Sequence, residues 1–223
     1  MYKIALDGPS GSGKSVMAKA VAKKLGIVYV DTGALYRAIG LYMYRQGVDK
    51  NDSETIKKKL GEIDIKLAVG EEGQQVMLNG ENVNGYIREP EISMYASKVS
   101  AIPEVRSFLL DLQRDTAKHN NVIMDGRDIG TVIFPDAEVK IFLFARDEVR
   151  AERRYKELCE KGVSTTYEEV LSDMQKRDSD DRNREIAPAV AAEDAVKLDS
   201  SELTLEETVA AILHIIEEKL NNK

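Results

Sequence analysis

Residues 8–15 of this chain read Gly-Pro-Ser-Gly-Ser-Gly-Lys-Ser, which matches the pattern G-x-x-x-x-G-K-[ST] in full. The segment before it, residues 3–7, is short, largely apolar and ends in an aspartate, as a buried strand would. The segment after it, residues 14–25, has apolar side chains near helical spacing and stops at Gly26. A strand, a glycine-rich turn and a helix in this order predict an α/β fold with a phosphate-binding loop.

Short apolar segments alternate with helical patterns along most of the remaining chain. Strands are predicted at residues 27–30, 122–125, 139–144 and 195–198. Helices are predicted at residues 34–45, 103–118, 150–161, 167–177 and from Thr204 onward. This alternation is typical of a parallel sheet covered by helices on both faces. We therefore expect an α/β fold of the P-loop NTPase type, with a five-stranded parallel sheet and a small antiparallel insert.

The insert is predicted from residues 63–88, where the period of the pattern changes to two. Apolar and polar residues alternate there, with apolar side chains at Ile63, Ile65, Leu67, Val69, Val76 and Leu78. Turn signals lie at Gly70-Glu71-Glu72-Gly73, Asn79-Gly80 and Asn84-Gly85. These features indicate short strands joined by tight turns.

Composition restricts the class of protein further. The formal net charge of −7 argues against a general nucleic-acid binder, which usually carries a basic excess. Cys159 is the only cysteine, so no internal disulfide forms, which fits a cytoplasmic protein. With His119 and His214 as the only histidines, a catalytic triad or a histidine-rich zinc site is hard to build. We expect neither a membrane segment nor a signal peptide.

The glycine-rich loop carries the strongest chemical prediction. Its backbone N–H groups and the following helix N-terminus would face the phosphates of a nucleoside triphosphate. Lys14 would add a mobile positive charge, and the Ser15 hydroxyl is suited to bind Mg²⁺. The expected ATP-binding residues are Gly8, Pro9, Ser10, Gly11, Ser12, Gly13, Lys14, Ser15 and Val16.

Two segments are candidates to hold the acceptor of the phosphoryl group. In residues 31–37, Thr32 and Arg37 would both reach a phosphate near a helix N-terminus. The alternative is that Asp31 or Thr32 only caps the helix and that Arg37 is an ordinary surface arginine. Residues 125–130 end a buried strand, where ligands gather in open α/β sheets. Asp125 there is a candidate to act on Mg²⁺ through water.

Asp128 is a candidate to accept a hydrogen bond from an amino group on a base; a tight turn stabilised by aspartates is the alternative. Residues 177–184 hold six charged side chains in eight positions. The planar fork of arginine matches phosphate, and Asp181 is suited to a ribose hydroxyl. A solvated helix end is the other interpretation. Similarly, Arg150, Arg153 and Arg154 begin either a mobile lid or an exposed helix face.

These segments together resemble the bacterial cytidylate kinases. The resemblance is carried by the phosphate loop, by Asp-Thr-Gly-Ala-Leu-Tyr-Arg at 31–37, by Asp-Gly-Arg-Asp-Ile-Gly-Thr-Val-Ile-Phe-Pro-Asp-Ala at 125–137, and by Arg-Asp-Ser-Asp-Asp-Arg-Asn-Arg at 177–184. The order and spacing agree over nearly the whole chain, and the two later motifs are far more specific than the loop. The resemblance implies transfer of a phosphoryl group from ATP to CMP or dCMP, with Mg²⁺ as cofactor.

The resemblance also implies roles for individual residues. The arginines that hold the CMP phosphate are matched by Arg37, Arg127 and Arg184, with Thr32 where the family often has serine. The residues that read cytosine are matched by Ser97, Arg106 and Asp128. The residues near the sugar are matched by Arg177 and Asp181. The catalytic cations would be Lys14, Arg127, Arg184 and the lid arginine Arg153.

The same resemblance divides the chain into three regions and leaves rivals to test. A core at about residues 1–62, 90–148 and 185–223 would carry an insert on the nucleoside monophosphate side, at about 63–89, and an arginine-rich lid, at about 149–184. We expect a monomer that binds small molecules, without nucleic-acid or membrane partners. A kinase for UMP, AMP or a non-nucleotide is the nearest rival, and a non-catalytic nucleotide sensor is a more distant one. A GTPase is disfavoured because no Asn-Lys-x-Asp motif is present.

Overall fold

The computed structural model describes residues 1–70 and 73–221, so Glu71 and Glu72 of the predicted 70–73 turn lie outside the described residues. The strands are β1 (Lys3–Asp7), β2 (Val28–Asp31), β3 (Ile65–Gly70), β4 (Gly73–Leu78), β5 (Glu81–Asn82), β6 (Val122–Gly126), β7 (Val139–Phe144) and β8 (Val196–Asp199). The helices are α1 (Lys14–Leu25), α2 (Thr32–Arg45), α3 (Ser53–Lys59), α4 (Pro90–Val99), α5 (Pro103–Asp115), α6 (Asp147–Glu160), α7 (Tyr167–Asn183) and α8 (Leu205–Asn221). A 3₁₀ turn spans Leu60–Glu62, and a π-helical turn spans Ile129–Ile133.

The larger sheet confirms the predicted fold class. Its five strands have the order β2-β6-β1-β7-β8. β7 pairs in parallel with β1, where Leu6 lies opposite Ile141, and with β8, where Leu143 lies opposite Leu198. The parallel arrangement explains the nearly continuous apolar strands, because both faces of such a sheet are covered.

The insert is a separate three-stranded antiparallel sheet of order β3-β4-β5, as predicted. Ile65 lies opposite Leu78, and Leu67 lies opposite Val76, so alternate apolar residues share one face. Asn79 and Gly80 both have positive φ, at 48° and 85°. This geometry is the one that an Asn-Gly hairpin turn requires.

The described chain forms two compact units, of which one comprises Ile27–Val122 together with Met1. Its apolar core joins α2, α4 and α5 to the insert and includes Leu35, Ile39, Val76 and Ile92. α2 begins at Thr32 because the Asp31 carboxylate caps the helix by accepting from the Ala34 N–H at 3.1 Å.

The other unit comprises Tyr2–Gly26 and Ile123–Lys223. β1 and β7 form its buried centre, and α8 packs against α1 and β7. α6 and α7 pack against each other around Ala151, Val170 and Met174. None of the helices in the described part of the chain combines the length and apolar character that crossing a bilayer requires.

Several helices differ from their predicted bounds. α6 begins three residues earlier than predicted, with Asp147 and Glu148 in its first turn, where acidic side chains favour the helix dipole. α7 continues beyond the predicted end at residue 177 and carries most of the 177–184 segment. α3 and α4 were not predicted, since α3 has only seven residues and α4 starts at a proline that reads equally as a turn.

Candidate active site

The segment after β1 is a loop in which the backbone conformation requires glycine at several positions. Gly8, Gly11 and Gly13 have φ values of 152°, 70° and 85°. A Cβ added to Gly8 would lie 2.0 Å from the carbonyl oxygen of Leu143 in β7. The loop therefore lies directly against the end of a neighbouring parallel strand, with the N-terminus of α1 at its far side.

Lys14 is buried, and its ammonium group folds back over the loop. Nζ donates to the Pro9 carbonyl at 2.6 Å and to Ser12 Oγ at 3.2 Å. Burial lowers the pKa of Lys14 well below its ordinary value, and the positive charge of Arg127 lowers it further. An anion bound in the loop would favour the charged form of Lys14, so this site is suited to phosphate.

Ser15 lies in the first turn of α1, beside a carboxylate near the end of β6. Its Oγ donates to Asp125 Oδ2 at 2.7 Å. Oxygen ligands of this kind suit Mg²⁺, which binds proteins through one or two such groups together with substrate phosphates and water. The described residues contain no group of three or more His, Cys, Asp or Glu side chains that could hold a metal ion alone.

Asp7 is a buried residue of the site that sequence reasoning missed. Its carboxylate accepts from the N–H groups of Ile129 and Gly130, both at 2.8 Å. Burial raises the pKa of Asp7 to about 6, while these two hydrogen bonds oppose the shift. Asp7 thereby anchors the turn after Asp128 to the strand that leads into the phosphate loop. The available signal was an aspartate that ends an apolar strand, as Asp125 does.

Four predicted substrate residues of this unit form one ionic network. Arg127 Nε donates to Asp181 Oδ2 at 3.0 Å. Arg184 lies 3.4 Å from an oxygen of Asp128 and 3.8 Å from an oxygen of Asp181. Asp128 and Asp181 are both buried, so removing a guanidinium partner would leave a buried carboxylate without its counter-charge.

Arg177 and Arg153 have different surroundings. Arg177 lies on α7 one turn before Asp181, on the helix that carries part of the network. Arg153 lies on α6, and its Nη2 donates to the carbonyl of Ser200 at 2.8 Å, just beyond β8. The structure therefore associates Arg153 with the end of β8, where the loop to α8 begins.

The Ile27–Val122 unit holds the remaining predicted residues. Thr32 is buried at the start of α2, and Arg37 Nη1 lies 3.8 Å from Asp31 Oδ2. The guanidinium of Arg106 lies over the ring of Tyr36, 5.6 Å from its centroid.

Ser97 and Arg106 are linked through a residue that the sequence did not single out. Arg106 Nη1 donates to the carbonyl of Ser100 at 3.1 Å, and Ser100 Oγ donates to the carbonyl of Ser97 at 2.9 Å. Ser100 therefore connects the two predicted cytosine-reading residues where α4 ends and α5 begins.

Asp31 has partners on the insert that were also missed. Arg88 Nη2 donates to Asp31 Oδ2 at 3.0 Å. Gln74 exchanges two hydrogen bonds with the Asp31 backbone, at 2.6 and 3.0 Å. The insert is thus attached to the residue that caps α2 and faces Arg37. No short motif marks these partners, because they lie 43 and 57 positions from Asp31.

Comparison with known proteins places this geometry in a family. A family model described as cytidylate kinase matches residues 4–218. The chain belongs to the cytidylate kinase family. The cytidylate kinase of Caldicellulosiruptor saccharolyticus is 48% identical over 220 residues, covering 99% of this chain and 97% of that protein. The cytidylate kinase of Carboxydothermus hydrogenoformans is 49% identical over 217 residues, covering 97% of this chain and 98% of that protein.

More distant relatives retain the same coverage. The cytidylate kinase of Pasteurella multocida is 44% identical over 220 residues, covering 99% of this chain and 97% of that protein. Among solved structures, an uncharacterized protein from Eubacterium ventriosum aligns with a TM-score of 0.51 at 13% identity, covering 97% of this chain and 99% of that one. This structural likeness concerns the fold alone.

Proposed function

We propose that this protein transfers the γ-phosphoryl group of ATP to CMP or dCMP, giving ADP and CDP or dCDP. The observation that carries the proposal is membership of the cytidylate kinase family over residues 4–218, with an intact phosphate loop in that span. The acceptor phosphate is already an anion, so the reaction needs no strong general base. Catalysis then depends on positioning and on stabilising charge that spreads over the equatorial oxygens.

On this proposal, the phosphate loop and Lys14 hold the ATP phosphates. The negative charge of a bound phosphate would raise the pKa of Lys14 and so offset the effect of burial. The Ser15 hydroxyl and the Asp125 carboxylate are the residues that would hold Mg²⁺. When bound, Mg²⁺ supplies positive charge to the phosphate oxygens. Arg153 is the proposed lid cation on the ATP side.

The proposed CMP phosphate site consists of Thr32 with Arg37, Arg127 and Arg184. Arginine is suited to this task because its fork offers paired donors to phosphate oxygens. The carboxylate of Asp181 forms ion pairs with Arg127 and Arg184. These ion pairs would orient both guanidinium groups before the substrate binds. Arg177 and Asp181 are proposed to contact the sugar.

Asp128 is the proposed selector for cytosine, together with Ser97 and Arg106. Cytosine presents an N4 amino donor, for which a carboxylate is a natural acceptor. Uracil places a carbonyl at that position, and the buried Asp128 would then face an acceptor. A site built around such a bond discriminates by roughly 10⁴ or more.

The division into core, insert and lid remains a prediction, as do the monomeric state and the cytoplasmic location. Closure of the lid should exclude water, since ATP hydrolysis would otherwise compete with transfer.

The deciding experiment is a coupled ADP-release assay with Mg-ATP and with CMP, dCMP, UMP, AMP, GMP or water as acceptor. Strong turnover with CMP and dCMP, weak turnover with UMP and almost none with water is the expected result. A preference for UMP or AMP would contradict the proposal and would reassign Asp128 and Arg106. ATP binding without turnover on any acceptor would instead favour a nucleotide sensor.

A further inference from the structure

Arg150 lies deep inside its unit and contacts four separate parts of it. It is 3% exposed, and its Nε donates to the Ala145 carbonyl at the end of β7 at 3.0 Å. Nη2 donates to Asp147 at the start of α6. Nη1 donates both to the Ser10 carbonyl in the phosphate loop and to Asp178 on α7. All three nitrogen atoms of the Arg150 guanidinium therefore donate to protein acceptors.

Asp178 completes the arrangement from the other side. It is 8% exposed; one carboxylate oxygen accepts from Arg150 and the other accepts from the Ser10 N–H at 2.8 Å. Both backbone polar groups of Ser10 are thus bound by side chains, the carbonyl by α6 and the N–H by α7. The peptide plane on each side of Ser10 has little freedom to rotate.

Packing at the next residue supports the same contact. A Cβ added to Gly11 would lie 2.6 Å from Met174 Cε on α7 and 3.5 Å from Arg150 Cβ on α6. The glycine therefore allows both helices to lie directly on the loop. The two helices belong to the region that carries the proposed lid, while the loop is the proposed ATP site.

A buried ion pair contributes little to stability by itself, because desolvation offsets much of the attraction between the charges. The Arg150–Asp178 pair matters for its geometry. The two side chains fix the direction of the Ser10 backbone groups, in a loop that would bind ligand through backbone N–H groups. We propose that Arg150 and Asp178 are positioning residues that set the conformation of the phosphate loop and so make ATP affinity depend on the packing of α6 and α7. The inference rests on the proposed ATP site at residues 8–16.

The principal test is Asp178→Asn, which keeps the side-chain size and an oxygen for the Ser10 N–H but turns an amide donor toward the donors of Arg150. We expect the Kd and the KM for ATP to rise by about tenfold or more, as is reasonable for residues within one network. The KM for CMP and kcat at saturating ATP should stay within about twofold. This split indicates lost binding of ATP rather than lost stabilisation of the transition state.

Two further variants make the test specific. Arg150→Lys keeps the charge but cannot bridge the same acceptors, and it should weaken ATP binding in the same way. In the double variant that combines Asp178→Asn with Arg150→Lys, the two losses of ATP affinity should not multiply. Each single change already breaks the connection between α6, α7 and Ser10. Asp180→Asn makes the same chemical change at an exposed position of α7, two residues away, and should keep ATP affinity within about twofold.

Either of two results would overturn the inference. One is an ATP affinity within about twofold of wild type in folded Asp178→Asn. The other is an equal rise in KM for both substrates, which would indicate general damage. Should Asp178→Asn fail to fold, Arg150→Lys is judged by the same criteria. A wild-type protein that bound no ATP in calorimetry would remove the proposed function together with this inference, whereas normal binding in wild type and variants removes the inference alone.

Discussion

The hydroxyl of Ser15 donates a hydrogen bond to the carboxylate of Asp125, with 2.7 Å between Oγ and Oδ2. Ser15 lies in the first turn of α1, and Asp125 lies in β6, 110 positions later in the chain. Two oxygen-bearing side chains of the kind that Mg²⁺ prefers are thereby held together next to the phosphate loop. This pairing makes the proposed Mg²⁺ site testable at a single hydroxyl group.

Replacing Ser15 with alanine should lower turnover by about 10² or more, since it removes a proposed metal ligand from the transition state. Ser15→Thr keeps the hydroxyl and fits the sequence pattern of such loops, so it should retain activity within a few-fold. The measurement is kcat as a function of Mg²⁺ concentration for both variants. Equal losses in the two variants would show that side-chain shape, and not the hydroxyl, is responsible.

Lys14→Ala should also lower turnover by at least ~10², because it removes the charge nearest the proposed transferring phosphate. Lys23→Ala offers a control on the exposed side of the same helix and should leave kcat nearly unchanged. Steady-state kinetics with CMP as acceptor provide the measurement. Near-normal activity of the Lys14 variant would exclude its proposed role.

Asp128→Asn should change the choice of base. The amide can donate to the O4 carbonyl of uracil, whereas the carboxylate can only accept. We expect kcat/KM for CMP to fall by about 10² or more, with a much smaller fall or a rise for UMP. The ratio of kcat/KM values for the two acceptors is the quantity to measure. An equal fall in kcat/KM for CMP and UMP would indicate that Asp128 holds Arg184 and does not read the base.

Much of the fold was predictable because its signals are local. The phosphate loop is marked by a short motif between a strand and a helix, and the Asn79-Gly80 turn needs only the two residues that form it. The bounds of α7 were not predictable in the same way. Its polar C-terminal half stays helical while Asp178 and Asp181 are buried against arginines, and these partners come from elsewhere in the chain.

The residues of the candidate site show the same difference between local signals and partners that are distant in the chain. Lys14 and Ser15 could be chosen from the motif alone. Asp7 could not, since its two backbone partners lie 122 and 123 positions away. Arg150 was predicted to begin either a mobile lid or an exposed helix face, and nothing local indicates that its guanidinium is buried and reaches Ser10, 140 positions earlier. Partners of buried charges are a property of the tertiary structure.

Gly40 makes a prediction about stability. It lies where α2 meets α4, and an added Cβ would be 2.9 Å from Tyr95 Cβ and 3.0 Å from the Ala96 backbone nitrogen. Inside a helix, alanine is more favourable than glycine by about 1 kcal/mol, but overpacking against the backbone costs about 1–3 kcal/mol. Gly40→Ala should therefore be neutral to destabilising, and Gly40→Val clearly destabilising. Gly61→Ala, with no atom within 4 Å, is the control for urea unfolding and should not show this loss.

Asp7 predicts a specific dependence of stability on pH. Its pKa in the folded protein is about 6, above the ordinary value of 3.8. Between these two values the folded state binds more protons than the unfolded state, so the contribution of Asp7 to stability decreases as pH rises from about 4 to about 6. Above that range the cost is constant, on the order of 3 kcal/mol at 1.36 kcal/mol per pKa unit.

Asp7→Asn removes this titration. The neutral side chain keeps one acceptor oxygen for the two N–H groups of Ile129 and Gly130, so it makes one hydrogen bond fewer than the ionised carboxylate does. Because ionisation no longer carries a cost, the stability of the variant relative to wild type should improve as pH rises from about 4 to about 6. Urea unfolding of both proteins across that range measures the difference. Parallel stability curves would mean that Asp7 is already ionised in the folded protein at pH 4, held in that form by its two N–H donors and by Lys14.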